Sequence, residues 1–168
     1  MKMSDERVIA AEPSVVWAAI LDPEVLKACV PGCQDMTGSP EDGFEATVVQ
    51  KVGPVKATFK GAVTLSDMDA PNALTLTGEG KGGAAGFAKG KSHVTLSPDG
   101  DGTRIAYEVE ANVGGKLAQL GSRLIDSFAK KMADQFFQRF QSVVEGTDET
   151  EVEVSDEKKG WLARLRGA

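Results

Sequence analysis

Between Gly115 and Val144 apolar side chains return every three or four residues, at Leu117, Leu120, Leu124, Ile125, Phe128, Met132, Phe136 and Phe140. That spacing lines one side of a helix. Lys130, Lys131, Asp134, Gln138 and Arg139 fall mostly on other faces, and no proline interrupts the run. About 28 helical residues would make a rod of roughly 42 Å, and an apolar side that long needs a partner surface of similar length. From about Gly43 the period is two instead. Phe44, Ala46 and Val48 alternate with Glu45, Thr47 and Val49. After a Gly53-Pro54 turn, Val55, Ala57, Phe59, Gly61, Val63 and Leu65 share one face, and Lys56, Thr58, Lys60 and Thr64 the other.

The alternation continues beyond the Asp69-to-Asn72 turn, through Leu74 and Leu76 and a glycine-rich region at Gly78–Gly86. Phe87–Leu96 predicts a further strand and Asp99–Gly102 a hairpin loop. Ile105, Tyr107, Val109, Ala111 and Val113 complete the sheet against outward Arg104, Glu108, Glu110 and Asn112. Upstream, residues 4–11 read as a strand. Pro13 opens a short helix carrying Val15, Val16, Trp17, Ile20 and Leu21, and Asp22-Pro23 can cap a second over Glu24–Ala28. One strand, two short helices, a run of antiparallel strands and one long helix make an α+β chain.

Charge and composition narrow the functional classes. The chain has 168 residues, enough for a domain over 1–145 with a real core. A net charge of -6 argues against a nucleic-acid partner, which needs a concentrated basic face. The start, MKMSDERV, lacks the apolar core of an export signal, so a cytoplasmic setting with reduced Cys29 and Cys33 is expected. Residues 146–157 are acidic and poor in core formers, which predicts a disordered linker. Residues 158–168 are basic and aromatic: Trp161, Leu162 and Leu165 can share one helical side, with Lys158, Lys159, Arg164 and Arg166 around it. Such a tail can lie in an anionic membrane interface or dock on an acidic partner.

Catalytic material is scarce. His93, the single histidine, falls on the outward face by alternation, and no nucleophile or phosphate-loop motif is present. No catalytic residue is assigned, and the reading is not that of an enzyme. Cys29 and Cys33 have no second pair to complete a zinc site, so no metal is expected. The inward face says more. Ala57, Gly61, Gly78, Gly80, Ala88, Gly90, Ser92 and Ala111 are placed beside Phe59, Phe87 and Tyr107. Interiors fill to near-crystal density. So many absent side chains mean either that the helix lies close against the sheet or that a space remains between them. Phe128, Phe136 and Phe140 are too bulky for close approach along the whole length, which favours an apolar cavity fit for a lipid-like guest.

The segments WAAILDPEVLKACVPGC, VGPVKATFKGAV, GKGGAAGFAKGKSHVTL and GGKLAQLGSRLIDSFAKKMADQFFQRF closely resemble the G-subunit family of carbon monoxide dehydrogenase, within the START-like (SRPBCC) superfamily. The likeness spans roughly residues 3–145. It implies a helix-grip fold, a curved antiparallel sheet wrapped around the long helix and a hydrophobic cavity. It also implies an accessory role beside a molybdenum-containing hydroxylase such as carbon monoxide dehydrogenase, recruitment of that enzyme to the inner face of the membrane, and binding of an isoprenoid quinone such as menaquinone. The cavity positions carried over are Ala57, Phe59, Gly61, Phe87, Tyr107, Leu120, Leu124, Phe128 and Met132, with Val30, Pro31 and Gly32 at the lip. Two other functions stand beside the carrier: an assembly or recruitment factor without a ligand, and an enzyme of the cyclase or aromatase kind, for which Tyr107 is the polar candidate.

Overall fold

A computed structural model describes residues 1–146; the expected linker beyond Gly146 and the tail residues Lys158 to Arg166 lie outside them. The alternating segments form one antiparallel sheet of seven strands in the order β1-β7-β6-β5-β4-β3-β2. The strands are β1 (Lys2–Ile9), β2 (Cys33–Ser39), β3 (Gly43–Val52), β4 (Val55–Asp69), β5 (Ala73–Lys81), β6 (Phe87–Asp99) and β7 (Gly102–Gly114). From β2 to β7 each strand pairs with its neighbour in sequence, and β1 closes the far edge against β7. Strand β2 carries no apolar alternation and is the one strand the pattern does not predict.

Two short helices follow β1, α1 (Pro13–Ile20) and α2 (Pro23–Cys29), each with proline in its first turn, where the missing N–H costs nothing. Asp22 caps α2, its Oδ1 accepting the Glu24 N–H at 2.9 Å. The long helix, α3, runs over Ser122–Glu145 and starts later than the periodicity predicts. Gly115–Leu120 is a 3₁₀ stretch instead, and Gly121 separates the two with φ 88. A positive φ there breaks the α-helical ladder at no steric cost to glycine. The rod is therefore nearer ~36 Å than ~42 Å.

The core is off-centre. Ile9, Val16, Ala19, Cys29, Leu74, Ile105 and Phe140 have essentially no exposure, and Val143 and Val144 join them. These residues bring α1, α2 and the C-terminal half of α3 together over one end of the sheet. This is the expected α+β, helix-grip arrangement, sealed at one end.

Candidate functional site

Near its N-terminus α3 meets the sheet at the β3–β4 turn, where a Cβ on Gly53 would lie 2.8 Å from Leu124 Cδ2. Its main backbone approaches are to α1, α2, β1, β3 and the 3₁₀ stretch rather than to the central strands. Strand register places Gly61, Gly80, Ala88 and Val113 in one row across the inward face, and Val63, Gly78, Gly90 and Ala111 in the next. A methyl group placed on Gly80 would meet no atom within 4 Å. On Gly61 it would meet the Glu79 carbonyl at 3.6 Å, and on Gly78 the Val63 Cγ2 and the Ala62 carbonyl. Nothing from α3 comes within 4 Å of a methyl on any of the three. The apolar side chains Leu124, Phe128 and Met132 of α3, with Leu120 before the helix, are half-buried, as are Ala57, Phe59 and Gly61 of β4; Phe136 is half-buried too but stacks on Phe140 in the sealed cluster. Large apolar groups that face one another and remain reachable by solvent outline an apolar space.

Tyr107 and Phe87, expected beside these residues, are elsewhere. Tyr107 faces inward but belongs to the sealed end. It is 6% exposed, and its ring stacks on Phe137 at 5.1 Å. Phe137 in turn meets Phe136 and Phe140 edge-on. Phe87 lies on the opposite, outward face, paired with Lys81 and sharing its side of β6 with Lys89, whose Nζ is 5.8 Å from the ring centroid. The period of two that turns Ala88 and Gly90 inward turns Phe87 out.

A polar latch, missed by periodicity alone, borders the sealed end. Arg7 of β1 pairs with Asp134 of α3 and with Asp5 at 3.4 Å, and its guanidinium lies 5.3 Å from the Phe137 ring. Burial works to lower the Arg7 pKa, but hydrogen bonds to Asp134 and Tyr107 outweigh it and raise the value. Burial also pushes the Tyr107 hydroxyl up, against the pull of Arg7. Asp134 thus reaches β1 through Arg7 while its carboxylate stays half exposed to solvent. The signal is present in the sequence as an arginine on the inward parity of β1.

Val30, Pro31 and Gly32 seat on the edge of β3: the Val49 N–H donates to the Gly32 carbonyl at 3.0 Å, and Gln50 Nε2 donates to the Pro31 carbonyl. Gly32 needs its φ of 76 there, because a Cβ would strike the Val49 oxygen at 2.1 Å. Cys29 is buried, and Cys33 is half-buried with its thiol pKa raised by desolvation; both carry thiols. His93 is exposed on the outer face, where Nδ1 meets Thr75 Oγ1 at 3.2 Å. Among the described residues no group of three or more His, Cys, Asp or Glu converges to hold a metal. No helix among them is long and apolar enough to cross a membrane.

A family model for the carbon monoxide dehydrogenase G subunit (CoxG) matches residues 6–145. The chain belongs to the CoxG family. A conserved protein from Geobacillus kaustophilus superimposes with a TM-score of 0.81 at 26% identity, over 88% of this chain and 97% of that one. Proteins from Thermus thermophilus (TM-score 0.65, 15% identity, 89% and 100% covered) and Chromobacterium violaceum (0.64, 16%, 86% and 96%) share the fold. A search of curated proteins gives no significant match. The CoxG match takes in the two small helices, the glycine-rich strands and all of α3.

Proposed function

We propose that this CoxG-family domain is a non-catalytic accessory protein that holds a lipid-like molecule between α3 and the sheet. Its partner is a molybdenum-containing hydroxylase of the carbon monoxide dehydrogenase kind, in keeping with the family's name. The observation that carries the reading is the open space above Gly80, with no α3 atom within 4 Å of a methyl on Gly61 or Gly78, beside the half-buried Leu124, Phe128 and Met132. A site lined by aliphatic and aromatic groups, with its polar latch confined to one end, suits a long apolar guest carrying a small polar head. An isoprenoid quinone such as menaquinone has that form. Holding one would let the protein couple its partner enzyme to the inner face of the membrane, with the basic residues of the tail from Lys158 to Arg166 contributing to recruitment.

Native mass spectrometry of freshly purified protein is the direct test. A co-purified apolar molecule, or uptake of menaquinone presented in detergent, is the expected result. A protein that arrives empty and refuses menaquinone overturns the carrier. In that case a pull-down that captures a multi-subunit oxidoreductase regardless of added quinone would favour a recruitment factor without cargo. Deleting residues 156–168 tests the tail separately: unchanged sedimentation with liposomes would remove it from membrane recruitment.

A further inference from the structure

The hairpin connections alternate between the two ends of the sheet, and so do the charges. At one end lie the β3–β4 turn, the β5–β6 connection and the segment leading into α3. They carry Lys51, Lys56, Lys81, Lys89, Lys116 and Arg123, all exposed. Three carboxylates adjoin them: Glu79, held by Lys81 at 3.1 Å, Asp35, in the register row of Lys60 and Lys81, and the exposed Asp126 one turn beyond Arg123. At the other end the β2–β3, β4–β5 and β6–β7 turns present Glu41, Asp42, Asp67, Asp69, Asp99 and Asp101. A net charge of -6 hides this polarity.

Register makes the basic end more telling. Lys51 sits directly opposite Lys56, and Lys60 directly opposite Lys81. Like charges placed opposite each other across a ladder destabilise a sheet, so the fold offers no stability reason for them. Phe87 stands among these cations, 38% exposed on the outer face. The half-buried Phe59, Leu120 and Leu124 lie toward this same end, with Leu124 beside Gly53 and Phe59 beside Gly82, while the buried core gathers at the other.

We infer that this basic end is a docking face for an anionic membrane surface. Cations facing anionic headgroups gain about fivefold in affinity each, and an aromatic ring among them settles at the interface. The acidic turns are repelled, so the domain is held with Phe87 and the end bearing Phe59, Leu120 and Leu124 toward the bilayer. An acidic protein could match the lysines, but it would leave the exposed Phe87 among them unexplained. The docking face rests on the carrier reading for its purpose, but its charge and exposure stand independently.

The test uses the full chain and vesicles of phosphatidylcholine, alone or with about one-third phosphatidylglycerol. Wild type is expected to partition onto the anionic vesicles and to be released by high salt. The triple variant Lys56→Glu, Lys81→Glu, Lys116→Glu should lose at least about tenfold in partitioning, and Phe87→Ser about threefold. A Lys→Gln triple, with thermal melting to check the fold, serves if the charge reversals perturb it. Wild-type indifference to anionic vesicles overturns the inference. So does undiminished binding by the triple variants, or loss confined to Lys158→Glu, Lys159→Glu. A water-soluble short-chain quinone separates this from the carrier reading: if neither wild type nor variant takes it up while vesicle binding still depends on the lysines, the carrier fails and the docking face stands.

Discussion

Tyr107 shows how one side chain can serve the fold while looking like chemistry. Its ring is stacked on Phe137 and its hydroxyl lies beside Arg7, at the sealed end and away from the open stretch of the groove. Because burial raises the hydroxyl pKa above its ordinary value near 10, the folded state favours the protonated phenol. That contribution to stability is whole below about pH 10 and is lost as pH climbs through the raised value. Urea midpoints should therefore fall above about pH 10 in the wild type, and Tyr107→Phe should remove part of the fall. Phe140, with no exposure at the centre of the same cluster, is the more costly residue to lose. Phe140→Ala should destabilise by about 3–5 kcal/mol in equilibrium unfolding. The Arg7–Asp134 pair is partly exposed, so Asp134→Asn should cost no more than about 1 kcal/mol.

At the level of elements, the glycine-bearing strands decide the question of space. Gly80 has an ordinary backbone without a positive φ and nothing above it. Gly80→Leu should therefore change unfolding stability by less than about 1 kcal/mol, yet abolish uptake of an apolar guest in native mass spectrometry. Were the helix packed tightly there, the same change would overpack the layer and cost about 1–3 kcal/mol. Much at this scale is legible in the chain. Alternation marks β3 to β7, the two prolines mark α1 and α2, and the apolar stripe marks α3. What escapes has physical causes. Strand β2 (CQDMTGS) lies at the sheet edge with little to bury, so it shows no alternation. The break at Gly121 depends on a backbone angle that apolar spacing does not encode. Phe137, absent from the predicted stripe, turns toward the sheet at one end, and an inward Phe87 contradicts the parity of its own strand. The groove can be read only indirectly, from side chains that are missing; Gly61, Gly78 and Gly80 stand in adjacent rows of the inward face with no helix atom against them.

For the whole molecule, the order of elements along the chain matters as much as their packing. Composition averages away the separation of basic and acidic turns, which emerges only once the hairpins are assigned to their ends. Connectivity has a second effect, through β1. This strand pairs with β7, Ile9 opposite Thr103, while every other strand meets its neighbour through a short connection. A ribosome adds roughly 5–20 residues per second. The first strand to leave the exit tunnel must therefore wait several seconds until its mate is made. Val16 and Ile9, wholly covered in the finished protein, spend that interval without β7 to shelter them, so newly made chains should depend on chaperones more than mature ones do.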